Sequence, residues 1–260
     1  MKFFKKFFKT SSFYLLLAIC LWQLAFSLDW YSDFFFPSPA QVVSFFWENS
    51  IKNITLWSAI AISLKRLLLG YFVSLIIGIP LGMLCYKSNF LKLTLRKIAL
   101  GFQTLPSICW VPLTLLWFGQ NNTAIIFVVC MGSVWGLIIG TENSIQHIPG
   151  IYLKAAYTMG ARRLTLLRTV VFPAALPMLI TSLKQCWAFA WRSLLSAEIY
   201  ISTIDGIGLG QLLHYGREMQ AMDQVISIIL VLIFIGLIIE NFVFIPIERS
   251  ITKRWGDDVF

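Results

Sequence analysis

The sequence predicts an all-α polytopic membrane protein of about six transmembrane helices, with a helical cytoplasmic loop and both termini inside. Of its 260 residues, 58% are hydrophobic and 13% are charged, and the mean hydropathy is +0.78. Six stretches are apolar over about the 20 residues that a helix needs to cross a bilayer. Lysine and arginine concentrate in alternate loops between those stretches. A soluble domain of this length could not cover so much apolar surface with so few charges.

The six apolar stretches are the predicted spans. They lie at 11–28, 60–86, 98–118, 123–143, 173–198 and 224–245. The first follows the basic start MKFFKKFFK, a combination that resembles a signal peptide. No small-x-small cleavage site closes the apolar run, so we expect an uncleaved first span.

Glycines and prolines shape the second and third spans. The second carries three small residues, Gly70, Gly78 and Gly82. Small residues at such spacing let a neighbouring helix approach closely. Pro80 in the same span predicts a kink, and Pro106 and Pro112 predict that the third helix is bent.

The positions of the basic residues give the orientation. Most of the 21 lysines and arginines lie in four segments, 1–10, 87–97, 144–172 and 246–260. Because cytoplasmic loops carry the basic excess, these segments are predicted to be inside. We divide the chain into an N-terminal anchor helix with an outer interfacial segment at 1–59, a core at 60–245 that includes the loop 144–172, and a cytoplasmic tail at 246–260. A short interfacial helix is expected from about Pro39 to Asn49.

The charge and cysteine content exclude several classes of function. The formal net charge of +9 is what the basic inner loops of a membrane protein produce, so we expect lipid and not nucleic acid as the partner surface. Only two histidines are present, and no two cysteines form a CxxC pair, so no metal site is predicted. The five cysteines are expected to be packing residues that face lipid or the core: Cys20, Cys85, Cys109, Cys130 and Cys186.

The inner loop GIYLKAAYTMGARRLTLLRTVVFP, residues 150–173, predicts two short helices. The first runs from Tyr152 to Met159, Gly160 breaks it, and a second continues from Ala161 to Val171 until Pro173. The spacing of Ala155, Ala156 and Met159 predicts one shared face of small or flexible residues, which suits docking into the groove of a partner. Arginines in the second helix supply positive charge beside it.

The same loop resembles the EAA loop of binding-protein-dependent ABC importer permeases, whose pattern is E-A-A-x3-G-x9-I-x-L-P. Here Lys154 replaces the acid, and Val170 and Phe172 stand for the aliphatic pair. Four further segments resemble the nitrate, sulfonate, taurine and bicarbonate branch of that family: FPSPAQVV (36–43), LPSICWVPLTLLWFG (105–119), AWRSLLSAE (190–198) and GIGLGQLL (206–213).

The resemblance implies a homodimer of permeases with two cytoplasmic ATPase subunits and an extracytoplasmic substrate-binding protein, in the plasma (inner) membrane of a bacterium. Such a permease forms the translocation path for a small solute, here an organic or inorganic anion such as a sulfonate, nitrate or bicarbonate. The chain has no GxxxxGK[ST] loop, so ATP and Mg are expected on the ATPase and no cofactor on this chain. The ATPase-coupling residues implied are Lys154, Ala155, Ala156, Met159, Gly160, Ala161, Arg162 and Pro173.

Polar residues inside the spans are the candidates for the translocation path, because ionisable groups in a bilayer usually face protein or water. The candidates are Gln103, Trp191, Arg192, Ser196 and Glu198. An alternative is that Arg192 and Glu198 make structural pairs with polar neighbours or with the second protomer, and that Lys184 extends toward the inner surface. Gln103 is equally consistent with a hydrogen bond between helices.

Three glycines follow the fifth span, Gly206, Gly208 and Gly210. They indicate either an outer gate facing the binding protein or a simple turn before an interfacial helix. Glu142, at the end of the fourth span, is expected to cap or pair with the inner loop.

Other functions fit the sequence less well. An integral membrane enzyme would need a set of catalytic side chains near one face, and none is evident. A self-sufficient secondary transporter usually shows inverted repeats, and none is found. A permease for a vitamin precursor or another small nutrient remains an alternative.

Overall fold

The computed structural model describes residues 2–28, 35–49 and 55–255, and throughout these residues it is built of helices and connecting loops. The outer aromatic segment at 29–34 and the last five residues of the predicted tail lie outside the described residues. The α-helices are α1 (Lys2–Ser27), α2 (Pro39–Trp47), α3 (Thr55–Lys87), α4 (Asn89–Thr104), α5 (Val111–Phe118), α6 (Asn122–Gln146), α7 (Gly150–Thr158), α8 (Arg163–Leu166), α9 (Phe172–Tyr200), α10 (Leu209–Glu218), α11 (Met222–Ile239) and α12 (Ile245–Trp255). A 3-10 turn (Ser107–Trp110) precedes α5, and π-helical turns precede α9 (Leu167–Val171) and α12 (Glu240–Phe244).

Within the described residues, four helices are long and apolar enough to cross a membrane. They are Thr55–Lys87, Asn122–Gln146, Leu167–Tyr200 and Met222–Ile251. A fifth span results if the bent pair Phe90–Thr104 and Ser107–Phe118 counts as one. The first predicted span, 11–28, overlaps the apolar stretch Leu16–Ser27 of α1. The all-helical membrane class is therefore confirmed; four or five spans are found among the described residues, and the count of six stays a prediction.

The bend predicted for the third span is present. α4 and the Ser107–Phe118 segment meet at 99° across Leu105 and Pro106. Leu105 has extended backbone angles (φ −73°, ψ 124°), as a residue before proline prefers, because the proline ring clashes with a helical conformation there. In the second span, α3 continues through Pro80, and the kink expected there stays a prediction.

α6 is the centre of the fold, packed between α3 and α9 along two rows of glycine. Methyl groups added at Gly70 and Gly78 of α3 would lie within 2.7 and 2.6 Å of side-chain atoms of α6. On the opposite side, methyl groups added at Gly132 and Gly140 of α6 would lie within 2.6 Å of serine side chains of α9. The close approach expected from the α3 glycines is confirmed. The α6 row, which consists of Gly132, Gly136 and Gly140 at a spacing of four residues, was not predicted.

The three helices enclose the main hydrophobic core, and three of the five cysteines contribute to it or to the neighbouring clusters. Cys85, Cys130 and Cys186 are buried among apolar side chains, whereas Cys20 and Cys109 are exposed. These positions agree with packing residues that face either the core or lipid.

Candidate functional site

The predicted inner loop contains a helix, a sharp elbow and a second helix. α7 (Gly150–Thr158) is closed by Met159 and then Gly160, which has φ +82°, a backbone conformation that side-chain-bearing residues rarely adopt. The Gly160 amide donates to the Tyr157 carbonyl (3.0 Å) and the Ala161 amide to the Ala156 carbonyl (2.9 Å). This pair of bonds is the Schellman motif that commonly closes a helix. The break predicted at Gly160 is thereby confirmed.

α7 has an exposed face and a buried face. Ile151, Tyr152, Ala155 and Met159 are exposed, with Met159 at 87%. Their spacing of three and four residues places them on one side of the helix. Ala156, expected on that same face, is instead 6% exposed and packs in a cluster beneath α7. The two alanines of the motif therefore have different surroundings, one facing outward and one anchoring α7 to the protein.

The flanking residues of the predicted coupling set occupy three environments. Lys154 and Arg162 are exposed, while Ala161 packs partly against the cluster beneath α7. Pro173 was expected to end the second helix, but α8 continues through a π-helical turn directly into α9. Because proline has no N–H to donate, it fits at the first positions of a helix, and the wider turn before it accommodates the ring. The elbow is thus joined without a loop to a membrane span.

One face of α9 is polar along much of its length. Thr181, Gln185 and Arg192 are exposed, and Lys184 and Ser196 are half-buried. The Arg192 Nε donates to the Ala188 carbonyl (3.1 Å), and its guanidinium lies 5.0 Å from the centre of the Phe189 ring. Trp191 beside it is half-buried, and Gln103, in α4 before the bend, is exposed.

Glu198 has surroundings unlike those of Arg192. Its side chain is fully buried, and its carboxylate accepts a hydrogen bond from Arg66 Nη1 (2.8 Å) and a bifurcated one from the Ser63 hydroxyl, which lies 2.9 and 2.8 Å from its two oxygens. Arg66 also donates to the Thr203 hydroxyl (2.6 Å) and to the Asn122 side chain (2.8 Å). This geometry favours the structural alternative for Glu198, with Arg66 in the role of the partner that the sequence did not identify.

Two of the three glycines of the predicted outer gate are hydrogen-bonded to this ion pair, and the third, Gly208, packs closely against it. The Gly206 carbonyl accepts from Arg66 Nη2 (2.9 Å), and the Gly210 amide donates to Glu198 Oε2 (2.9 Å). A methyl group added at Gly208 would lie 2.2 Å from Glu198 Oε1. Glu198 thus supplies a carboxylate at the N-terminus of α10, where free amides and the helix dipole favour negative charge.

Two further ion pairs differ from what the sequence suggested. Glu142, expected to pair with the inner loop, is buried and contacts Arg96 of α4 at 2.7 Å. Lys184, expected to extend toward the inner surface, pairs with Glu240 at the start of the π-helical turn before α12. Arg66, Arg96 and Glu240 were therefore missed. Opposite charges in different apolar stretches were the available clue, because each such charge needs a partner in a membrane.

Comparison with known proteins agrees with the geometry. Residues 74–249 match the family described as "Binding-protein-dependent transport system inner membrane component". The bicarbonate transport system permease protein CmpB of Synechococcus elongatus is 33% identical over 190 residues, covering 72% of this chain and 66% of the relative. The taurine transport system permease protein TauC of Escherichia coli is 27% identical over 226 residues, covering 85% and 81%. An inward-facing structure of the MetNI methionine ABC transporter superposes with a TM-score of 0.65 at 22% identity, covering 79% of this chain and 98% of that one.

Proposed function

This chain belongs to the family of inner-membrane components of binding-protein-dependent transport systems, and from that premise we propose that two copies form the translocation path for a small acidic solute. It is a multi-pass membrane protein and the permease subunit of an ABC importer, not an enzyme, and ATP hydrolysis belongs to a separate subunit.

The polar face of α9 is the observation that supports the path. Thr181, Gln185 and Arg192 lie exposed on a helix that is long and apolar enough to span a bilayer. Hydrocarbon cannot solvate an arginine or an amide, so such groups face protein or water. A second copy that presents the same face would enclose a polar channel between the two α9 helices, with Trp191 and Ser196 along its wall. Gln103, near the backbone break in the neighbouring bent span, belongs to the same proposed path.

The exposed face of α7 is the proposed contact for the ATPase subunit. α7 exposes Ile151, Tyr152 and Met159, and Ala156 anchors its other side to the protein. A force applied to the exposed face would therefore move α7 together with the cluster beneath it. Its elbow joins α9 through continuous helix. A movement of the ATPase against α7 would therefore move the polar face of α9, and ATP binding would favour one of two helix arrangements.

The proposed orientation has six spans, with α1 as the first and both termini in the cytoplasm of a bacterium. The basic loops support it, since they flank α7 and the ends of the chain. ATP and Mg are bound on the ATPase, and an extracytoplasmic binding protein delivers the solute to the opposite face, near the loop of Gly206, Gly208 and Gly210.

The solute is proposed to carry an acidic group. Relatives are named for taurine, bicarbonate, nitrate and sulfonates. In this chain Arg192 is exposed on the polar face of α9, where it would attract a sulfonate, carboxylate or inorganic anion by charge.

Thiol accessibility tests the proposed path. With Cys20 and Cys109 replaced by serine, Ala188→Cys would place a thiol on the polar face of α9, and Phe234→Cys would place one on an exposed apolar face of α11. In lipid vesicles, a charged water-soluble thiol reagent is expected to modify Cys at position 188 and not at position 234. Equal protection of both positions would contradict the path.

A further inference from the structure

A cavity of about 440 Å³ lies between α9 and the C-terminal helices. Polar and aromatic side chains line it together, among them Thr181, Gln185, Trp187 and Trp191 from α9 and Glu248 from α12. Its volume is in the range of small-molecule sites in proteins. Because Ala188 and Trp191 also border the polar face of α9, the cavity is continuous with the proposed path.

An ion pair between Lys184 and Glu240 lies in this cavity. The two side chains retain 37% and 35% of their exposure, although Glu240 belongs to a span with a mean hydropathy of 2.9. Charges so exposed cannot face lipid without a large cost, so water or another polar group must reach them. Glu240 also begins a π-helical turn, a local widening that proteins often place at functional sites.

Aromatic rings complete the cavity next to the carboxylate. Trp187 packs against Phe244, the last residue of the π-helical turn, with ring centres 6.2 Å apart. It also packs edge-on against Tyr71 of α3, at 5.2 Å, which fixes its orientation. Tryptophan faces attract organic cations, most strongly where water is scarce. Two tryptophans beside a carboxylate therefore form a suitable environment for an ammonium group.

The balance of charge in the cavity disfavours a simple anion. Glu240 already neutralises Lys184, and Glu248 lines the same cavity, so a nitrate, bicarbonate or alkylsulfonate bound at Lys184 would add a negative charge beside two carboxylates. A molecule that carries both charges avoids this excess of negative charge. Its acidic group can pair with Lys184 while its ammonium group pairs with Glu240 and contacts a tryptophan ring.

We propose that this cavity binds a small zwitterion, a molecule with an acidic group and an ammonium group a few bonds apart, such as an amino sulfonate or an amino acid. The proposal deepens and rests on the proposed transport function, because the bound molecule would be the solute in transit. Lys184 selects the acidic group, Glu240 the ammonium group, and the volume limits the size.

Binding measured on the permease with its ATPase subunits in lipid nanodiscs tests the proposal, without any binding protein. The probes are taurine, β-alanine and γ-aminobutyrate, each compared with its counterpart lacking the amino group: ethanesulfonate, propionate and butyrate. Saturation-transfer NMR gives the affinities. At least one zwitterion is expected to bind about tenfold or more tightly than its counterpart, as the loss of a charged hydrogen bond predicts.

Variants distinguish a ligand contact from a structural ion pair. Glu240→Gln is expected to remove the preference for the zwitterion while leaving the affinity for the counterpart unchanged, and Lys184→Met is expected to weaken both. Glu218→Gln, at an exposed carboxylate of α10, should change neither. A purely structural pair would lower the melting temperature of the Glu240→Gln protein without altering the preference.

The proposal is overturned if no zwitterion binds better than its counterpart, or if Glu240→Gln leaves the preference intact. The same preparations, in vesicles, report ATP hydrolysis and ATP-dependent uptake. An ATPase that drives uptake without a preference for zwitterions would contradict this inference and leave the proposed function standing. An ATPase that neither binds nor drives uptake would contradict the proposed function itself.

Discussion

Arg66 of α3 and Glu198 of α9 form a buried ion pair with a contact of 2.8 Å, and their side chains are 3% and 0% exposed. The pair closes the end of the bundle at which α9 gives way to the glycine loop and α10. Around it lie the Ser63 hydroxyl, the Gly206 carbonyl and the Gly210 amide, so both charges are fully hydrogen-bonded. Because both charged groups are fully hydrogen-bonded, the pair holds α3, α9, α10 and the glycine loop in one arrangement.

Removing one partner of this pair should destabilise the protein strongly. Glu198→Gln leaves the Arg66 guanidinium buried without its counter-charge, and breaking such a pair costs about 3 to 5 kcal/mol. We expect a marked fall in melting temperature in detergent. The double substitution Arg66→Met with Glu198→Leu should recover much of the loss, because no charge then remains unpaired. Additive losses in the double variant would show that the two residues do not act together.

The stability of the protein should also depend on one glycine of this loop, Gly208. Gly208 has an ordinary backbone conformation (φ −92°), so alanine there meets no conformational barrier. Its methyl group would nevertheless collide with the Glu198 carboxylate at 2.2 Å. Gly208→Ala is therefore expected to lower the melting temperature and to expose residues 201–208 to protease. Gly101→Ala is the control, since nothing lies within 4 Å of that position, and it should be neutral or stabilising by up to about 1 kcal/mol. A similar small effect at both glycines would contradict the close packing of Gly208 against Glu198.

Whether a substitution at Gly160 is tolerated should depend on the backbone conformation of the new residue and not on steric room for its side chain. Nothing lies within 4 Å of a side chain added at Gly160, but its φ of +82° is costly for a β-branched residue. Gly160→Val should uncouple ATP hydrolysis from uptake in vesicles. Gly160→Asn is expected to retain coupling, because asparagine tolerates this region of backbone space. If valine and asparagine give the same coupled uptake, the elbow is not needed.

Arg192 provides the corresponding test of the polar face of α9. Arg192→Ala should slow uptake by about tenfold or more by removing the charge that attracts the acidic group of the solute. The ATPase should still co-purify, because Arg192 lies far along α9 from the elbow. Arg217→Ala, an exposed arginine of α10, is the control. Unchanged uptake in the Arg192→Ala protein would assign that residue a structural role.

Local sequence patterns predicted the helical class, the bend at Pro106 and the elbow at Gly160, because each follows from the chemistry of a few adjacent residues. The partners of the buried charges could not be predicted in this way. Arg66 and Glu198 are 132 positions apart, and their meeting depends on how three helices pack. The opposite surroundings of Ala155 and Ala156 likewise depend on the cluster beneath α7, which includes residues from α6 and α9.

ATP-dependent solute uptake into vesicles tests most directly the central claim that a separate ATPase drives this permease through the exposed face of α7. Met159→Asp places a charge at the end of that face, and Met219→Asp makes the same change at an exposed methionine that follows α10. We expect uptake only when the ATPase subunit is present, its loss in the Met159→Asp protein together with loss of ATPase co-purification, and retention of co-purification in the Met219→Asp protein. Concentrative uptake by the permease without any ATPase, or full activity of the Met159→Asp protein, would contradict the account.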